Sequence, residues 1–191
     1  MTTKTCKELP TLTQLNECFT PDYKNGRLLW NRRPMHHFSN PNKCAAWNTQ
    51  YEGLEAICYL QGKSKYGQVT INNTHYLAHR IIYSMYHGVI GIDVAIDHID
   101  GNGYNNAIHN LRTATSQQNS ANVRWNSSNT SGFKGVSVIK LKQGNRYVAR
   151  IRVNQQSKHL GMFTTPEEAH EVYVRAAKLH FGEYFNAGGQ I

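Results

Sequence analysis

Residues 95–122 read AIDHIDGNGYNNAIHNLRTATSQQNSAN, with an aspartate and a histidine side by side at Asp97 and His98 and an asparagine further on at Asn119. The chemistry open to such a trio is hydrolysis of a phosphodiester. A hard divalent cation such as Mg²⁺ or Mn²⁺ prefers oxygen ligands, which the Asp97 carboxylate and the Asn119 amide carbonyl supply while leaving places for water and phosphate. His98 is then available as a base. A neutral imidazole, with an ordinary pKa of about 6.5, can take a proton from water at neutral pH and create the attacking nucleophile. Adjacent side chains on a strand point to opposite faces, so Asp97 and His98 can serve the ion and the water together only at a bulge or a strand end.

The elements that must position these groups are legible around them. A short apolar approach, Val94 to Ile96, leads to Asp97 and His98, and the chain turns through Asp100, Gly101, Asn102 and Gly103. It returns through Ile108 to Leu111, and a helix opens near Ser116 with Thr115 or Ser116 as its cap. Two strands and a helix can bring Asp97, His98 and Asn119 together. Asp100 stands in an Asp-Gly-Asn context that favours a turn over a third carboxylate ligand. Upstream, YLAHRIIYSMYH (76–87) has near-helical apolar spacing and stops at Gly88, which predicts a helix; His79 on it reads as a packing residue. Residues 9–76 are punctuated by Gly and Asn between short apolar runs and read as β-rich.

Composition bounds the function. The chain has 191 residues with 39% hydrophobic and 10% aromatic content, so it folds. Its 21 Lys+Arg against 12 Asp+Glu leave a formal charge of +9, the balance of a protein that meets a polyanion. Between Asp100 and Glu167 there is no acidic residue, while Arg112, Arg124, Lys134, Lys140, Lys142, Arg146, Arg150, Arg152 and Lys158 all fall there. No stretch is apolar enough to span a membrane and the first ten residues lack a secretory apolar segment, so an intracellular, cytoplasmic protein is expected. Cys6, Cys18, Cys44 and Cys58 form no C-x-x-C pair, and reduced thiols are expected. His36, His37, Cys44 and Cys58 have metal-ligand chemistry, but scattered Cys and His are common and spacing alone does not make them a site.

The stretch 123–131 is rich in Asn and Ser and reads as a linker. Beyond it, Phe133 to Ile139, Tyr147 to Val153 and Lys158 to Phe163 read as three antiparallel strands. On the second, Tyr147, Ala149, Ile151 and Val153 share one face and Val148, Arg150 and Arg152 the other, so one face packs and the other presents cations. A helix follows, with Thr165 as cap, Pro166 in the first position, Glu168 completing the start and an apolar stripe of Ala169, Val172, Ala176 and Leu179.

The set Asp97-His98-Ile99-Asp100-Gly101-Asn102, Asn105-Asn106, Asn110-Leu111-Arg112 and Gln118-Asn119 resembles the HNH endonuclease family, in particular its phage homing-endonuclease branch. Ala78-His79-Arg80 and Trp30 with Arg32, Arg33 and Pro34 extend the likeness. The resemblance implies a ββα-metal module within an α+β fold. It further implies Asp97 and Asn119 as ligands of a single Mg²⁺ or Mn²⁺, His98 as general base, and Asn110 as the residue that ties the loop to that base. The last family position, often His, is Asn119 here. Gly132-Phe133-Lys134-Gly135-Val136, Tyr147 to Arg152 and Leu160 to Phe163 with the helix start resemble the AP2 DNA-binding domain, a three-stranded sheet plus one helix. That likeness implies DNA contacts from Lys134, Ser137, Lys140, Lys142, Arg150, Arg152 and His159, without carrying over a base preference, since Ser137, Ile139 and His159 replace the usual residues. The expectation is a homing-type nuclease with a catalytic domain at 9–122 and a DNA-binding domain at 132–186. It would cut duplex DNA to 5′-phosphate and 3′-hydroxyl ends without a small-molecule cofactor. A non-cleaving DNA-binding regulator and an RNA-directed protein are the rival readings, and one copy or two is left open.

Overall fold

The structure, a computed structural model, describes residues 7–59, 65–123 and 129–188. Cys6, Arg124 and most of the expected linker, 124–128, lie outside the described residues. Two compact units divide the chain, Met1–Thr113 and Ala114–Ile191.

In the first unit the Thr11 hydroxyl accepts the Gln14 N–H at 3.2 Å and starts α1, Leu12–Cys18. The chain then forms a hairpin of β1, Phe19–Asp22, and β2, Arg27–Trp30, with Phe19 opposite Trp30. A short 3-10 turn, Met35–His37, leads to α2, Pro41–Tyr51, where Asn40 accepts the Lys43 N–H at 2.9 Å and Pro41 takes the first helical position. A second hairpin pairs β3, Gln68–Ile71, with β4, Thr74–Leu77, its turn made by Asn72 and Asn73 in the left-handed region at φ 47° and 57°. The region expected to be β-rich is therefore mixed. Its helix α2 sets Trp47 and Tyr51 half-buried against the core, while its one fully buried residue is the polar Asn48, which blurs the apolar periodicity.

Helix α3, Ala78–His87, runs through the centre of this unit and stops at Gly88, as its sequence predicts. Ala78, His79, Arg80, Ile81 and Ile82 are all buried in succession, so the helix is enclosed on every side over that turn. Leu15, Phe19, Leu28, Val69, Ile81 and Ile82 are at most 2% exposed and form the core, each worth about 1.5–3 kcal/mol of burial for the larger side chains. The guanidinium of the buried Arg80 donates to the Val94 carbonyl and, at 2.9 Å, to that of Gly91. It thereby organises the loop that feeds β5, Ala95–His98, which pairs with β6, Leu111–Ala114.

The second unit opens with α4, Ser116–Asn122, held by a full capping box between Thr115 and Gln118. A three-stranded antiparallel sheet follows in the order β7, Val136–Leu141, β8, Gly144–Val153, and β9, Gln156–Phe163. Helix α5, Pro166–Phe181, packs Ala169, Tyr173 and Ala177 against Val136, Ala149 and Ile151. Sequence places the join of the two parts at 123–131, whereas the units divide at Thr113. The reason is visible in Lys134, whose amine donates to the carbonyls of Ala121 at 2.6 Å and Asn186 at 2.7 Å and so ties the end of α4 into the C-terminal unit.

Candidate active site and nucleic-acid face

The regular pleat ends at His98, the last residue of β5, so the strand end anticipated from the Asp97–His98 pair is present. Ile96, Asp97 and His98 are all buried, with Asp97 3% and His98 4% exposed. His98 Nε2 lies 3.1 Å from the Asn106 side-chain oxygen. With that oxygen accepting, the ring proton sits on Nε2 and Nδ1 carries the lone pair. Burial pushes the imidazole below its ordinary pKa, against the raising influence of the Asn106 hydrogen bond and of the Asp100 and Asp97 carboxylates. The ring is thus a neutral base at neutral pH. Tyr66 stacks on it at 5.7 Å between centroids, and His79 meets it edge-on at 4.9 Å.

Asn110 acts on the loop rather than on the ring. Its carbonyl oxygen accepts the Asp100 N–H at 3.0 Å, and its amide donates to Asp100 Oδ1 at 3.0 Å and to the Asn105 carbonyl at 2.8 Å. Asp100 is a turn residue, as expected. Burial raises its carboxyl, but the hydrogen bonds from Asn105, the Asn102 N–H and Asn110 outweigh this and hold it below the usual carboxylate range. The residue that grips the His98 ring is Asn106, 1% exposed, whose place in the motif carries no role in the sequence alone. An Asn adjacent to another Asn in a loop gives no periodic signal; only the fold shows which of the two turns inward.

The Asp97 carboxylate meets Arg112, with both Nε and Nη2 of the guanidinium 3.0 Å from Oδ2. Asn119 lies on α4 in the second unit. A buried carboxylate at a strand end suits a hard cation in charge and donor type.

A family model described as HNH endonuclease matches residues 76–121. An uncharacterized HNH endonuclease, L560, of Acanthamoeba polyphaga mimivirus is 39% identical over 107 residues, which is 56% of this chain and 54% of the relative. Protein 3.8 of Escherichia phage T7 is 43% identical over 65 residues, covering 34% of this chain and 54% of that protein. The chain carries an HNH-family endonuclease module. It spans about half the length of these curated relatives. No solved structure matches it. No helix among the described residues is long and apolar enough to cross a membrane.

The HNH module begins on β4 and α3, so His79 and Arg80 fall inside it. His79 is buried with no hydrogen-bond partner for Nδ1, and burial, His98 and Arg80 together bring its pKa down to about 3. Upstream of the module, Glu17, His36 and His37 bring ligand atoms within 4.8 Å of one another, a cluster able to chelate a divalent metal. The grouping of His36 and His37 with Cys44 and Cys58 is not what the fold makes. Cys44 instead accepts from Asn48 at 3.4 Å and Cys58 is exposed.

Downstream of the module, strand register sorts the candidate DNA contacts. Ser137 stands opposite Val148, and Arg150 opposite His159. Facing residues share a side, so Ser137, Arg150, Arg152 and His159 lie on the face turned away from α5, and all four are exposed. Lys140 pairs with Asn145 and falls on the α5 side of the hairpin end, while Lys142 is in the turn beyond it. Lys134 points inward. Its amine is committed to Ala121 and Asn186, it lies 5.1 Å from the Phe185 ring, and burial brings its pKa down to about 8. These engagements correct its assignment as a DNA contact.

Proposed function

We propose that the chain is a divalent-metal-dependent endonuclease of the homing type that hydrolyses phosphodiester bonds in duplex DNA. The observation that carries this reading is His98: a neutral, buried imidazole fixed through Nε2 by Asn106, one residue from the Asp97 carboxylate, at the end of a strand within the stretch matched by the HNH endonuclease model. Asp97 would hold a Mg²⁺ or Mn²⁺ ion, for which the family resemblance names Asn119 as a further ligand. When bound, it would supply charge stabilisation to the scissile phosphate and the departing 3′-oxygen. His98 takes the proton of the attacking water through Nδ1, and Asn110 and Asn106 keep the loop and ring in place. Attack on phosphorus opposite the 3′-oxygen leaves 5′-phosphate and 3′-hydroxyl ends. The sheet face of Ser137, Arg150, Arg152 and His159 lies along the duplex, a placement supported by its exposure, its lack of acids and its likeness to the AP2 domain.

Incubating supercoiled plasmid with the protein and Mg²⁺ or Mn²⁺ tests the reading. Nicked or linear product from the native chain is expected, lost in His98→Ala with DNA affinity retained. Turnover surviving in His98→Ala would remove the base. One observation favours a non-cleaving DNA-binding protein instead. Arg112 occupies Asp97 Oδ2 and competes with a cation for that carboxylate. DNA binding without any cleavage under either metal would establish that alternative.

A further inference from the structure

Glu17 on α1 and the adjacent His36 and His37 on the 3-10 turn converge from separate elements. We propose that they form a second metal site, for one borderline divalent cation of the Zn²⁺ class, and that its occupation staples α1 to the turn. The proposal does not rest on the endonuclease reading. Glu17 Oε2 is 2.8 Å from His37 Nε2 and 3.2 Å from His36 Nε2. Tetrahedral ligands on Zn²⁺ bonds of about 2.0 Å stand about 3.3 Å apart, so small side-chain movements suffice to admit the ion. Two imidazoles and a carboxylate suit Zn²⁺, Co²⁺ or Ni²⁺, whereas Mg²⁺ prefers oxygen throughout.

The shielding is graded in the way a metal site needs. The His37 side chain is 5% exposed, Glu17 32% and His36 65%, so one inner ligand is fixed and one outer ligand leaves an entry path and a place for water. On its far side, His37 Nδ1 accepts from Arg33 Nε at 3.1 Å and has the Cys18 thiol at 4.0 Å. Ligation through Nε2 moves the ring proton to Nδ1 without net proton loss. The Cys18 sulfur, 4.0 Å away, is then the group placed to receive that proton in place of the Arg33 contact. Arg33 keeps its hold on Asn72 at 3.0 Å and its position over the Trp47 ring at 4.9 Å.

The test is a Co²⁺ titration of the full chain carrying Asp97→Ala, read by visible absorption, beside the same chain with His36→Gln or Glu17→Gln added. One saturable Co²⁺ with a tetrahedral band, displaced by Zn²⁺ and not by Mg²⁺, is expected, with affinity at least tenfold weaker in either added variant. His36 is exposed, so His36→Gln leaves the fold intact, and the same comparison in the Asp97 background or the native one reads the site. No saturable Co²⁺ uptake, or uptake unchanged in both variants, overturns the proposal. Loss of Co²⁺ binding here with plasmid cleavage retained in His36→Gln separates this site from the catalytic one.

Discussion

Asn106 is almost fully enclosed and holds the ring of His98 by a single hydrogen bond. Asn106→Leu keeps the branched shape and removes the bond to the buried ring, at a cost of about 1–3 kcal/mol. Cleavage is expected to fall roughly 10- to 100-fold, the range for removing a group that orients a reacting side chain. Urea unfolding and plasmid turnover check the two effects separately, and full activity would show that the tautomer is set elsewhere. His79 gives a pH prediction. The unfolded chain takes up its proton near 6.5, while the folded residue resists to about 3. Between those values the unfolded state binds more protons, so this contribution is whole above about pH 6.5 and is lost as pH falls toward 3, with a slope approaching about 1.4 kcal/mol per pH unit. His98, also lowered, adds in the same direction. Urea midpoints at pH 7.5 and pH 5 should therefore differ, and His79→Leu should flatten the fall without abolishing it. An equally steep fall in the variant would assign the protons to other groups.

The loop carrying Asn106 is braced from a distant part of the chain. Gly26, in the β1–β2 turn at φ +68°, presses so closely on the next layer that an added Cβ would stand 2.3 Å from the Asn106 carbonyl carbon. Gly53, at φ +78°, has nothing within 4 Å of the same added atom. Gly53→Ala therefore meets only the left-handed backbone penalty, about 1–2 kcal/mol, and should leave cleavage intact. Gly26→Ala meets backbone as well and should lower both the melting temperature and turnover by displacing Asn106; equal effects from the two variants would sink this account. Such long-range bracing was not legible in the sequence. What was legible were local signals: the stop of α3 at Gly88, the Thr115 cap of α4, the turn at Asp100, and the three strands with the Thr165-Pro166 helix start. Each depends on residues a few positions apart. The partner of His98, the inward turn of Lys134 and the pairing of Glu17 with His36 and His37 depend on which side of a loop or strand faces inward, and the chain packs that choice across many residues.

Charge is divided unequally between the two units. Residues 114–191 hold ten Lys+Arg against four Asp+Glu, net +6, and residues 1–113 hold eleven against eight, net +3. The larger excess lies in the unit that bears the exposed sheet face, so the salt dependence of DNA binding should come mainly from there. Each phosphate neutralised contributes about 0.9 to the slope of log affinity against log salt. Replacing both Arg150 and Arg152 by alanine is then expected to lower affinity and reduce that slope by up to about two, measured by fluorescence anisotropy on a labelled duplex over a range of KCl. Lys134→Met is the discriminating control. Its amine binds two carbonyls inside the unit, so the slope should stay at the native value while the unit loses stability through the two lost bonds to the Ala121 and Asn186 carbonyls. A slope lowered by Lys134→Met and untouched by the double arginine variant would place the duplex on the wrong surface here, and the division of labour between a cutting module and a holding sheet would fall with it.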